Sequence, residues 1–441
     1  MSRNKRKAIF YVLFVLFFII GAAVVFYAQG WRFDFTTWRA EKVGAIFVRS
    51  FPTDARILLD GKPIANQSGF LSRGTLISNL FPRTYSLTLT ENGYDEWREN
   101  IAVLPALVTE LKDAVLVPQT PEVISTSTVK QFSIISGETI TQTANDAIVW
   151  RGKTIGRGEI VSESADLHAI IIKNAGAGTF SLYDFTEGTS TNLSAVLLKN
   201  GVNAATLTDL LIDPRDATNI IAINTHQVWT FTTTQGAATT VGRTTGGETI
   251  GSSLAVSPSL IAWTKFGNSS GASVVLYDRF AKIAKESSGT VPGQTRDLQW
   301  ISDALLGVLQ SDGSLYSYDV NAQQFQKLAD DAKEFRTADD GTAVAVLENK
   351  SVEILPQSDA QTYRRFNLSD IANAEQVLWY RDMNHLFVIY PASVSFLDLD
   401  DLGLRNFVRV ADGVKPLYKP DENVLYLVNS AQKIIKFDFP K

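Results

Sequence analysis

The sequence predicts a mainly β protein carried on one N-terminal transmembrane helix. A small antiparallel β-sandwich follows the helix, and a β-propeller of seven blades, within a range of six to eight, fills the remainder. Three observations predict it. Residues Ala8 to Ala28 run without a charge. Residues 44–117 alternate apolar and polar side chains between turn dipeptides. Beyond residue 123 a turn, an apolar strand, a second turn and an aromatic strand recur through the rest of the chain.

The apolar run, Ile9-Phe10-Tyr11-Val12-Leu13 through Val24-Val25-Phe26-Tyr27, spans roughly 31 Å as a helix, which matches the hydrocarbon core of a bilayer. It exceeds the usual signal-peptide apolar region of about 7–15 residues. Its far end, Tyr27-Ala28-Gln29-Gly30-Trp31-Arg32, makes a poor cleavage site. An uncleaved anchor is therefore expected, with a cleaved signal as the alternative. Arg3, Lys5, Arg6 and Lys7 precede the run with no acid among them, so residues 1–7 are expected to stay cytoplasmic and everything beyond to be extracytoplasmic. Arg32, Arg39 and Lys42 on the far flank are the argument for the opposite orientation. Between residues 29 and 43, Trp31, Phe33, Phe35 and Trp38 supply the aromatics of a membrane–water interface.

The chain has no cysteine, which removes disulfides, thiol nucleophiles and thiolate metal ligands. Its net charge is −5 although its first seven residues carry four cations and no anion. The remainder is thus acidic and has no electrostatic footprint for nucleic acid, which is not expected as a partner.

In 44–117, Ala45-Ile46-Phe47-Val48 leads to Phe51-Pro52, and Ile57-Leu58-Leu59 ends at Asp60-Gly61. Asp-Gly supplies the positive φ angles of a tight hairpin. Tyr85-Ser86-Leu87-Thr88-Leu89-Thr90 alternates before Asn92-Gly93, and Val108 to Val117 reads as a closing strand. About seventy residues of this kind form a compact sandwich.

Several of these residues fall in the order of a known family. Ser50-Phe51-Pro52-Thr53-Asp54-Ala55, Ile57-Leu58-Leu59-Asp60-Gly61-Lys62, Leu80-Phe81-Pro82-Arg83-Thr84-Tyr85 and Gly93-Tyr94-Asp95-Glu96-Trp97 resemble a PEGA domain. Thr53-Asp54 stands where the family name has Glu-Gly, and Arg83 where glycine usually follows Pro82. Both departures lie in turns. The resemblance covers about a sixth of the chain and implies a β-sandwich module of extracytoplasmic, surface-associated proteins, with no catalytic residues to carry over. Its place beside the membrane suits a spacer or stalk.

Pro118-Gln119-Thr120-Pro121 stiffens a linker at 118–122 and opens the propeller-like domain, 123–441. Turns at Glu163-Ser164-Ala165-Asp166, Asp213-Pro214, Ser257-Pro258, Ser302-Asp303, Asp339-Asp340-Gly341, Arg381-Asp382 and Pro420-Asp421 head the repeats. From Asp166 to Asp421 they average about 42 residues apart, the length of one four-stranded blade. Seven blades are expected, with the Val123–Ile160 region an additional blade in part or the strand that closes the ring. A stack of sandwiches is the competing architecture. The blades resemble tryptophan–aspartate-repeat propellers only loosely, since the Gly-His and Trp-Asp signatures are missing.

No catalytic, cofactor or metal site emerges. Gly267-Asn268-Ser269-Ser270-Gly271 matches a nucleophile-elbow pattern, but Ala272-Ser273-Val274-Val275 reads as a strand where the elbow needs a helix. The three histidines, His168, His226 and His385, stand far apart, and His168 and His385 sit where a structural residue belongs. Asp398, Asp400 and Asp401 read as a solvated acidic turn, because Leu402-Gly403 breaks the calcium-loop alternation. The expectation is a non-enzymatic binding or scaffold protein of the cell envelope, anchored by Ala8–Ala28, without cofactor, whose propeller recognises an envelope protein or surface glycan. The alternatives are a hydrolase or lyase with carboxylates in the propeller funnel, and a ligand sensor that signals through a membrane partner.

Overall fold

The computed structural model describes residues 3–441 except 36–37, 69–72, 136, 165–167, 177, 235–237, 268–270, 358–363, 368–372 and 401–405. Helix Arg3–Ala28 comes first. Its segment Ile9–Ala28 is long and apolar enough to cross a bilayer, as an anchor or as a signal sequence, and buries nothing against the rest of the protein. A hairpin of Trp31–Asp34 and Arg39–Lys42 follows.

The sandwich has two sheets. In one, Gly44–Phe51 lies between Thr75–Leu80 and Val108–Val115; in the other, Lys62–Ile64, Arg56–Leu59, Thr84–Thr90 and Trp97–Ala102 lie in that order. The Asp60-Gly61 turn has the expected positive φ angles, 49° and 73°. One strand pair departs from the antiparallel pattern: Val108–Val115 runs parallel to Gly44–Phe51. The chain reaches it by crossing from the second sheet back to the first, which allows the return in either direction. Ile46, Val48, Ile57, Leu87, Leu89, Trp97, Ile101 and Leu111 fill the space between the sheets.

Beyond the sandwich come six separate antiparallel sheets and one seven-stranded path, 131–192. That path is two blades sharing one long strand, Lys153–Ser164: residues 153–157 pair with Ala147–Trp150, and 158–164 pair with Ala169–Asn174. The backbone passes from one blade to the next at Gly158, where φ is +141° and a Cβ would lie 1.9 Å from the Lys173 carbonyl oxygen. Only glycine fits there. The described residues therefore form eight blades, the upper end of the expected range. Numbered in chain order they are 131–157, 158–192, 209–243, 249–286, 295–329, 332–367, 376–412 and 414–438.

The region 123–160 supplies both things the sequence left open, an extra blade and a closing strand. Glu122–Val123 pairs with Ile434–Asp438 as the outermost strand of blade 8. Ile124 N donates to Ile434 O at 3.0 Å, and Val129 N to Gln432 O at 2.8 Å. The last blade is thus completed by the first strand of the domain, and the ring has no free edge there.

Core packing follows the ring. One apolar cluster fills each interface between neighbouring blades, including that of blade 8 with blade 1, where Phe132 and Ile134 meet Val424, Tyr426 and Ile434. The second strand of each blade explains how. In Leu305–Gln310, Leu306 and Val308 pack toward blade 4, while Leu309 packs toward blade 6. Both faces are buried, so these strands read as continuous apolar runs.

Phe335, fully buried between blades 5 and 6, tests this packing. Phe335→Ala should cost about 3–5 kcal/mol in urea unfolding. Phe280→Ala, at a side chain that is 75% exposed, should stay within about 0.5 kcal/mol of the parent.

Candidate functional site

Strand direction divides the propeller into two faces. The innermost strands begin on one face, which also carries the turns joining second to third strands. The sandwich touches the opposite face. On the first face an opening of about 590 Å³ lies where blades 8, 1 and 2 meet and is lined by Lys130, Gln142, Asp146, Glu159, Lys173 and Lys415, among others.

Asp146 organises its floor. It sits in a hairpin turn at φ 60° and accepts from Lys130 Nζ at 2.9 Å and Gln142 Nε2 at 3.0 Å; that amide also donates to Gly158 O at 2.6 Å. The hydrogen bond to Asp146 raises the Lys130 pKa and lowers that of Asp146. Lys173 and Lys415 have no ion-pair partner among the described residues. The opening is lined by side chains of both charges. A shallower opening of about 700 Å³ lies on the same face at blades 6 and 7, beside Lys333, Glu375 and Tyr390.

Polar side chains of the inner strands stitch neighbouring blades together. Ser133 Oγ donates to Glu163 Oε2 at 2.5 Å, Leu298 N to Ser253 Oγ at 3.2 Å, and Trp379 Nε1 to Arg336 O at 2.9 Å. Two inner-strand carboxyls have raised pKa values, Asp209 and Glu334, in each case chiefly through burial. They belong to blades 3 and 6, and Glu334 accepts from Val377 N at 2.9 Å and pairs with Arg336 at 2.6 Å. Among the described residues no group of three or more His, Asp or Glu side chains could hold a metal ion.

A buried polar cluster lies at the junction of sandwich and propeller. His385 is fully buried, with Nδ1 2.8 Å from Asp382 and Nε2 3.6 Å from Asp398. Its ring stacks on Phe396 at 4.9 Å between centroids. Burial alone pushes the His385 pKa down; Asp382 and Asp398 outweigh it and hold the imidazolium to about pH 10. Across the junction, Trp97 Nε1 donates to Asp398 Oδ2 at 3.3 Å and Arg98 N to Asn406 Oδ1 at 3.2 Å from the sandwich, and Asn384 Nδ2 of blade 7 donates to Asp113 Oδ2 at 3.1 Å. Val115 and Val117 enter the apolar cluster of blades 7 and 8. Asn423, fully buried, completes this region by donating to Tyr380 Oη at 2.9 Å and Pro440 O at 2.8 Å.

Asp398 therefore corrects the sequence expectation. It is 4% exposed and faces His385 and Trp97, because its strand end is covered by the sandwich. Asp401 lies outside the described residues. His168, at φ 52° in a turn, and His226, in a hairpin loop, remain apart from it. Gly267–Gly271 joins two antiparallel strands, Leu260–Phe266 and Gly271–Asp278; Asn268, Ser269 and Ser270 lie outside the described residues. The linker at 118–122 is pinned to the sandwich: Gln119 N donates to Gly93 O at 2.9 Å, and Gln119 Nε2 to Asp95 Oδ1 at 2.8 Å.

No family model and no curated protein matches the chain. Solved structures do resemble it. An oligogalacturonate lyase in complex with manganese aligns at 10% identity and a TM-score of 0.48, over 74% of this chain and 97% of its own. BamB from Moraxella catarrhalis aligns at 11% identity and 0.45, over 73% and 100%. A eukaryotic initiation factor aligns at 11% and 0.48, over 74% and 90%. Likenesses this distant carry no inference about ligand or activity.

The junction gives a pH prediction. The His385 pKa lies above its unfolded value of about 6.5, so its contribution to stability is complete below about pH 6.5 and is lost as pH rises through about 10. His385→Gln, which leaves Asp398 buried without a cation, should cost about 3–5 kcal/mol at neutral pH. The gap between wild type and variant in urea midpoint should narrow as pH is raised from about 6.5 to about 10.

Proposed function

We propose that this chain is a single-pass, membrane-anchored binding or scaffold protein of the cell envelope. In this proposal residues 8–28 stay in the membrane, 44–117 is a PEGA domain, and the propeller recognises an extracytoplasmic protein or glycan. The observation that carries the proposal is the mounting. The apolar helix leads into the sandwich, and the sandwich is fixed to blades 7 and 8 by the Trp97–Asp398 and Asn384–Asp113 bonds and by Val115 and Val117. Among the described residues these sandwich bonds all fall on one face, and the opening at blades 8, 1 and 2 lies on the other. Loops on a rigid scaffold are where recognition is built.

The proposal assigns no reaction. The raised carboxyls Asp209 and Glu334 stand three blades apart, unlike the carboxylate pair of a glycoside-cleaving site at about 5–9.5 Å.

Topology is the first test. With an epitope tag after Lys441, protease applied to intact cells, or to cells whose outer membrane has been selectively opened where one exists, should digest the tag and propeller while cytoplasmic markers survive. A tag protected until the inner membrane is breached would place the propeller in the cytosol and overturn the proposal. Release into the soluble envelope fraction of a chain shortened by residues 1–28 would show that residues 8–28 act as a cleaved signal.

A further inference from the structure

The hairpin between helix and sandwich has an apolar face that the described residues leave largely exposed: Trp31 packs edge-on against Phe26 of the helix, while Phe33, Phe35 and Trp38 are open to solvent. In its register, Trp31 faces Lys42 and Phe33 faces Ala40, while Arg32 faces Glu41 and Asp34 faces Arg39. Opposed residues share a face of the ribbon. One face is thus Trp31, Phe33, Ala40 and the Lys42 stem, with Lys42 Nζ over the Trp31 ring at 5.7 Å; the other carries the charges. Phe35 and Trp38 extend the apolar face at the tip, packing edge-on against Phe33 at 5.1 and 6.0 Å. Both are more than three-quarters exposed.

The polar face is turned to the sandwich. Arg32 Nη2 donates to Asn79 Oδ1 at 3.1 Å, and Arg32 Nη1 donates to Tyr27 O, the last turn of the helix, at 2.8 Å. The base of the hairpin is tied to a second apolar element. Val43 N donates to Gly30 O at 3.0 Å, Ala106 N to Val43 O at 3.1 Å, and Ala45 N to Leu107 O at 3.0 Å. The turn so held carries Leu104, Leu107 and Val108, each at least half exposed.

We propose that the aromatic hairpin and the 104–108 turn form one membrane-contact surface, which seats the sandwich on the headgroup region of a phospholipid bilayer independently of the helix. This inference rests on the anchored reading above and adds to it. The occupant follows from continuity: the apolar face begins one turn beyond a helix that itself reaches bilayer length. Aromatic rings beside cations are the chemistry of the membrane–water interface, where ring bodies meet acyl chains and polar groups meet headgroups. Arg32, Arg39 and Lys42 against Asp34 and Glu41 leave an excess of one positive charge, so insertion of apolar side chains, rather than attraction to anionic lipid, drives the contact. With the helix, hairpin and turn all engaged, the sandwich cannot swivel freely on its anchor, and the propeller face opposite the sandwich is held in a set orientation.

The chain from Gly30 to Lys441 is the test material. It keeps the sandwich core and every blade interface, since the helix segment buries nothing. It should float with vesicles of phosphatidylethanolamine and phosphatidylglycerol, and comparably with phosphatidylcholine vesicles. Phe35→Glu with Trp38→Glu, and separately Leu104→Glu with Leu107→Glu, should each weaken partitioning at least about tenfold. Unfolding midpoints should not change, since the side chains are exposed.

If the helix-free chain stays in solution while the full chain sediments with membranes, the inference is wrong and the anchor stands. If the full chain also stays out of membranes, the anchored reading fails first. Self-association of the helix-free chain that the same substitutions abolish, without vesicle binding, would identify the occupant as a second copy and overturn the proposal.

Discussion

Burial of every blade on both faces is the constraint on which the rest of the structure depends. A four-stranded sheet with a run such as Ala343–Glu348, buried at all six residues, cannot present either face to water. It needs an apolar neighbour on each side, and so does that neighbour. The series ends only if the last blade meets the first, as it does where Val424, Tyr426 and Ile434 meet Phe132 and Ile134. The closing strand 122–123 is short, but the backbone bonds of Ile124 and Val129 extend it along blade 8. Closure serves both packing and the edge: without it, two apolar faces and an unpaired strand would stand open.

The same closure fixes where the sandwich can sit. Its final strand, Val108–Val115, is followed at once by the residues that begin the ring, so the sandwich must dock beside blade 8. The contact made there is partly apolar, through Val115 and Val117, and partly ionic, through the His385 cluster. A buried imidazolium between two carboxylates adds directional contacts to a junction that apolar packing alone would leave free to slide. Docking on one face keeps the turns of the other face accessible. In the proposed function, recognition depends on that asymmetry more than on any single cavity.

Much of the fold was legible in the sequence because blades repeat. Seven of the eight announce themselves by an acidic or proline turn after the inner strand, from Asp166 to Asp421. Blade 1 does not. The segment between its first two strands, Gln131–Ile135 and Glu138–Gln142, carries neither proline nor aspartate, and its outer strand merges with the inner strand of blade 2 in Lys153–Ser164, so no turn separates them. The parallel pairing of Val108–Val115 was equally hidden, since strand direction leaves no mark on alternation. The junction was illegible for another reason: Trp97 and Asp398 meet across 301 positions, and nothing local distinguishes a buried Asp398 from the solvated turn that its acidic neighbours suggest. The opening on the other face is likewise a product of topology, since ring closure brings Lys415 of blade 8 beside residues 130–178 of blades 1 and 2.

Ring closure can be tested directly because the chain has no cysteine of its own. Glu122 and Lys436 are opposed across the closing strand pair, with Oε2 and Nζ 3.1 Å apart. Replacing Glu122→Cys and Lys436→Cys together, and oxidising the folded protein mildly, should give one intramolecular disulfide by mass spectrometry and a higher unfolding midpoint than the reduced form. An oxidised monomer that retains two free thiols, or that cross-links only between molecules, would mean that the first and last strands do not meet and that the blades form an open array.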